Sequence, residues 1–63
     1  MLEFNVEGMS CGHCVSMVTQ AVKGADPAAK VEVDLATHKV RVETSEDRRS
    51  IAAALTDAGY PPN

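Results

Sequence analysis

Tryptophan is absent from this chain, and Phe4 and Tyr60 are its only aromatic residues. A stacking platform for nucleic acid, or an aromatic-walled pocket for a large organic cofactor, therefore lacks its material. Positive charge is also scarce: six Lys and Arg stand against nine Asp and Glu, giving a net charge of −3. That balance argues against a partner presenting a phosphate backbone or an anionic membrane surface. There is no apolar run of about 18 residues, so no membrane-spanning helix is expected. The opening Met-Leu-Glu-Phe-Asn-Val-Glu carries acid where a secretory leader would carry Lys or Arg ahead of an apolar run. The expectation is a cytoplasmic protein.

Length sets a further bound. At 63 residues the chain is expected to be one domain spanning 1–63. A chain of this size buries only about 60% of the surface its unfolded form exposes, so its core is thin. The two cysteines, Cys11 and Cys14, lie too close together for a disulfide between them to constrain the unfolded chain strongly. In a reducing compartment such a pair is more often catalytic or metal-binding than a structural staple.

Periodicity supplies the elements. Leu2, Phe4 and Val6 alternate with Glu3, Asn5 and Glu7, the period-2 pattern of a strand with one wet face, and Gly8 ends it. From His13 to Val22, Cys14, Met17, Val18, Ala21 and Val22 form a helical stripe, stopped by Gly24 and Asp26-Pro27. Val31, Val33 and Leu35 alternate again. After the polar turn at 36–39, Val40 and Val42 complete a hairpin. Thr44 and Asp47 read as the capping box of a second helix, with Glu46 and Asp47 in its first turn. Ile51, Ala54, Leu55 and Ala58 form that helix's inner stripe, and Gly59 closes it.

The order β-α-β-β-α predicts an α+β sandwich: one antiparallel sheet with both helices on one face. Pro61 and Pro62 cannot donate to a ladder, so a fourth strand should be very short or absent. Chain direction then brings the cysteine loop, the turn bearing His38 and the Gly59-Tyr60 corner to one end of the molecule.

The donor chemistry is concentrated in Gly8-Met9-Ser10-Cys11-Gly12-His13-Cys14. Two thiolates three positions apart satisfy a soft cation of low coordination number such as Cu(I). Zn(II) asks for about four ligands, and His13 and His38 are the only conventional nitrogen donors available. Cys14 falls in the first turn of the helix, where unpaired N–H groups and the helix dipole stabilise a thiolate. Cys11 precedes it on a loop that Gly8 and Gly12 make permissive. A loop of that kind, exposed and under-coordinated, suits a carrier that hands its ion on.

This stretch, followed by Val18 and Ala21-Val22, resembles the GMxCxxC signature of the heavy-metal-associated domain family. Asp34, Lys39 and Gly59-Tyr60 extend the resemblance along the chain, which is similar to the family's small bacterial copper chaperones. The resemblance implies a ferredoxin-like βαββαβ sandwich binding Cu(I) through Cys11 and Cys14. It also implies delivery by ligand exchange to the amino-terminal metal-binding domain of a copper-transporting P-type ATPase. Family members run on through a full fourth strand, which this sequence does not spell out.

Each remaining residue has a plainer alternative. Met9 is a candidate sulfur ligand, but an apolar plug beneath the loop is the favoured reading. His13 is a candidate tuning or auxiliary group, set against a solvent-facing side chain. Tyr60 is expected to pack over the loop or close the core end, and the two roles are compatible. His38 is expected to be a solvated turn residue that does not ligate. Lys23, Arg48 and Arg49 are read as solubilising charges. A rival function is a thiol–disulfide oxidoreductase using the same CxxC, although the length and inventory fall short of a thioredoxin-like fold. Carriage of mercury or zinc is the other alternative, and a copper-bridged homodimer is compatible with an exposed two-thiolate site.

Overall fold

A computed structural model describes residues 1–9 and 12–62 of the chain. The elements follow the expected order: β1 (Leu2–Asn5), α1 (Gly12–Ala25), β2 (Lys30–Asp34), β3 (Lys39–Glu43) and α2 (Arg48–Asp57). The described residues form a three-stranded antiparallel sheet in the order β1-β3-β2, and 61–62 lie outside any strand. Among the described residues no helix is long and apolar enough to cross a membrane.

Alternation places the core. Phe4 lies opposite Val40 and Leu2 opposite Val42, while Val31 and Val33 flank the same two valines from β2. This face packs against Val18 and Val22 of α1 and against Ile51 and Leu55 of α2, all fully buried. The other face carries charge: Glu3 engages Lys39 Nζ at 3.5 Å and Arg41 Nε at 3.2 Å. Both pairs are half-exposed and contribute little individually. With one wet and one dry face, a one-residue register slip would turn the whole apolar set to water, so the pairing is strongly specified.

The helix ends depart from the sequence reading at both helices. Gly24, expected to stop the first helix, lies inside α1, which runs on to Ala25 with no positive φ at the glycine. α2 begins at Arg48 with Asp47 as its N-cap, the carboxylate accepting from Ser50 N–H at 2.8 Å. Thr44 therefore does not cap the helix, and Glu46 and Asp47 precede its first turn. The Thr44 hydroxyl instead donates to Asp26 Oδ2 at 2.5 Å and accepts from Glu46 N–H. A tertiary partner has taken the group that the local pattern assigned to a cap. The C-terminal end follows expectation. Gly59 sits at φ 92°, its N–H bonds Thr56 O and that of Tyr60 bonds Leu55 O, a Schellman closure that only a left-handed residue permits.

Leu35 is a further correction. It falls in the turn rather than in β2 and is 37% exposed, because Asp34 Oδ1 takes the Ala36 N–H and starts the turn one residue early. His38 closes that turn at φ 58°, a left-handed conformation that His tolerates better than most side chains.

Candidate metal centre

The segment between β1 and α1 leaves the strand through a tight turn. Val6, fully buried, donates its N–H to His38 O at 2.8 Å, which extends the β1–β3 ladder by one rung. Its carbonyl in turn accepts from Met9 N–H at 3.4 Å. Met9 is itself completely buried and belongs to the core cluster. The hydrophobic effect thus pins the chain immediately before the cysteines, and the side chain on the pin is a polarizable thioether without branching.

Cys14 is the third residue of α1, half-buried and packed against the core cluster. Cys11 and Ser10 lie outside the described residues. α1 has no acidic residue in its first turn, and the positive end of its dipole favours an anionic sulfur there. His13 is exposed, as the solvent-facing alternative has it. Among the described residues no group of three or more His, Cys, Asp or Glu is arranged to hold a metal ion.

One part of the shared end that chain direction predicts is observed. The ladder rung from Val6 to His38 joins the root of the cysteine loop to the β2–β3 turn. Tyr60, just beyond the C-terminal end of α2, is half-buried against the core cluster, as Cys14 is, and Met9 is a member of that cluster. Two features were not anticipated. Arg48 is not merely a solubilising charge: its guanidinium lies 4.4 Å from the centroid of the Phe4 ring, a cation–π contact. His38 is half-buried rather than fully solvated, and its Nδ1 is shielded from water with no hydrogen-bond partner among the described residues. The pattern Val42-Val40-His38 carries the inner-face alternation on to His38 and is the sequence signal that would have found it.

A family model, the heavy-metal-associated domain, matches residues 3–61. The chain belongs to the heavy-metal-associated domain family. Among curated relatives of this domain, the copper chaperone CopZ of Staphylococcus haemolyticus (strain JCSC1435) is 42% identical over 59 residues, covering 89% of this chain and 87% of that protein. Copper-transporting ATPase 1 of Rhizobium meliloti (strain 1021) is 45% identical over 60 residues, covering 92% of this chain but only 7% of the ATPase. Among solved structures, the copper chaperone Atx1 from Synechocystis PCC6803, in a trimeric His61Tyr form, superposes with a TM-score of 0.97 at 30% identity over the full length of both chains. A gold binding protein superposes with a TM-score of 0.95 at 43% identity, covering 100% of this chain and 97% of that one. The Synechocystis likeness establishes the ferredoxin-like sandwich of the family as this chain's fold, and the relatives make it a copper-chaperone-like heavy-metal-associated protein.

Proposed function

We propose that this protein is a cytoplasmic Cu(I) carrier that binds the ion through the Cys11 and Cys14 thiolates and passes it by ligand exchange to a copper-transporting P-type ATPase. The observation that carries the proposal is the position of Cys14. It lies in the first turn of α1 and packs against the core cluster to which the fully buried Met9 belongs, so one thiol is held by the fold. Its pair, Cys11, sits three residues back in the sequence. Holding one donor in place in advance reduces the ordering cost of binding.

Two thiolates around Cu(I) make a centre of net charge −1. An entering thiolate from the recipient adds to the copper as one of the original sulfurs leaves, so the number of bound sulfurs is conserved across the exchange. No electrons move, and the carrier needs no turnover of its own. The recipient is the amino-terminal metal-binding domain of the ATPase. The 45% identity between this chain and a stretch of the Rhizobium meliloti ATPase supports an exchange between like sites, with little free-energy difference to overcome. In this reading Met9 is an apolar plug, Tyr60 closes the core end over the loop, and His13 is a solvent-facing neighbour that adjusts the charge near the sulfurs.

The test is anaerobic titration of the reduced protein with Cu(I) against a chromophoric chelator. One tightly held equivalent per chain, lost in the double variant C11S/C14S, is the expected result. Catalytic reduction of insulin disulfides with weak competition for Cu(I) would instead favour the oxidoreductase. A second reading, carriage of Au(I), is favoured by the 43% identity to a gold binding protein. Au(I) takes the same two-sulfur coordination, and competition between the two ions on one sample separates them.

A further inference from the structure

Val31 and Val33 of β2 are only half-buried, whereas Val42 and Val40, their partners on β3, are fully buried. The difference is one of place in the sheet. β2 stands at the end of the order β1-β3-β2 and pairs with β3 alone among the described residues. Its outer side opens on a groove of about 480 Å³, lined by Glu32, Val33, Asp34 and Leu35 in succession and by Val15 of α1. A free strand edge presents unpaired backbone groups and is a template for another strand.

The side chains of this edge select the strand that fits it. β2 reads Lys30-Val31-Glu32-Val33-Asp34, with a cation at one end and a carboxylate at the other. Laid antiparallel on a copy of itself about Glu32, it sets Lys30 opposite the partner's Asp34 and Val31 opposite the partner's Val33. Two-fold symmetry repeats each of these favourable pairs. Lys30 enters no ion pair among the described residues. Asp34 Oδ1 accepts from Ala36 N–H, which leaves its second oxygen for a lysine. The one like-charged pair is Glu32 with itself on the axis, and each Glu32 has Arg41 as its cross-strand neighbour on β3. The other outer strand lacks this property, since Leu2–Asn5 of β1 holds Glu3 and no cation.

We propose that the β2 edge is a homodimer interface, through which two copies join without metal into one six-stranded antiparallel sheet. The proposal goes beyond the carrier reading and does not depend on it. The paired strands run in opposite directions, so the two β2–β3 turns lie at opposite ends of the joined sheet. Each turn holds the root of its own cysteine loop through the Val6–His38 rung. The thiol sites are therefore kept apart, unlike those of a dimer bridged by copper. Five residues per strand bury little surface, so the association is weak.

Translational diffusion and amide spectra of the reduced protein, with chelator and no metal, test the interface between roughly 0.02 and 1 mM. The expected result is diffusion that slows with concentration and amide shifts that move along 30–34 but not along 2–5. A sample mixing labelled and unlabelled chains should show contacts between Val31 and the partner's Val33. These readings need no substitution. K30E or D34K alone sets like charges opposite each other and should weaken self-association about tenfold. An equimolar mixture of the two variants restores opposite charges at both ends and should recover the parent's affinity, which a merely structural loss would not. C11S/C14S should associate as the parent does. Diffusion indifferent to concentration, or shifts centred on β1 or the cysteine loop, would overturn the proposal. So would association that requires copper or the cysteines, or a mixture no tighter than its components. None of these results bears on Cu(I) uptake, which the chelator titration reads separately.

Discussion

The Thr44 hydroxyl donates to Asp26 Oδ2 across 2.5 Å, joining the segment just after α1 to the segment just after β3. Topology puts this clasp at the end of the molecule opposite the β2–β3 turn. Asp26 also accepts from Ala28 N–H at 3.0 Å, which shapes the turn leading into β2. One carboxylate therefore fixes both the exit from the first helix and the approach to the second.

The clasp has a pH signature. The Thr44 hydroxyl first, and the Ala28 N–H after it, hold the Asp26 carboxyl below its ordinary value of 3.8. Asp47 is lowered in the same direction by the Ser50 N–H and then by the Ser50 side chain. A carboxyl depressed in the folded state stabilises the fold above its unfolded value, and that contribution is lost as pH falls through the lower folded value. Thermal midpoints should thus be flat above the carboxylate range with respect to these two groups and fall below it. D26N should lower the midpoint near neutrality and shorten the acid decline. T44V should lower the midpoint and move the Asp26 carboxyl resonance toward its ordinary titration.

Two glycines should respond oppositely to the same substitution. Gly59 sits at φ 92° with open space around a built Cβ, so G59A meets no clash but forces an alanine into left-handed backbone. The expected cost is about 1–2 kcal/mol. Gly24 lies inside α1 without a positive φ and with nothing near its Cβ. G24A should stabilise by roughly 0.5–1 kcal/mol, because it restricts the unfolded chain and suits the helix. Chemical denaturation of both variants checks the pair.

Met9 discriminates a plug from a ligand. M9L conserves volume in a fully buried site, so its cost should stay below about 1.5 kcal/mol. M9A should cost roughly 2–5 kcal/mol through the cavity it leaves. Chelator competition should give M9L nearly the parent's Cu(I) affinity. A large loss with the fold intact would make the thioether a ligand.

Most of the architecture was legible because each apolar stripe has a single period, and a glycine or proline follows the first strand and each helix. Leu2, Phe4, Val40 and Val42 specify the sheet's inner face, and Gly59 specifies the end of α2, through constraints local to the sequence. The start of α2 was legible only in part. Thr44 and Asp47 are both good caps, and what decides between them is Asp26, 18 residues earlier in the chain, which takes the Thr44 hydroxyl. Leu35 was misplaced for a subtler reason, since the Asp34 side chain competes with the strand for the Ala36 amide. The contact of Arg48 with Phe4 and the shielding of His38 Nδ1 depend on packing between elements far apart in sequence. The metal loop announces itself by composition alone, with both thiols in one short glycine-flanked stretch.

X-ray absorption at the copper edge of the anaerobically loaded protein tests the central claim most directly, because it counts and identifies the donors. The account predicts two sulfur scatterers per copper, with no nitrogen or oxygen in the inner shell. A shell containing imidazole nitrogen, or copper that stays bound after both cysteines are replaced by serine, would contradict it.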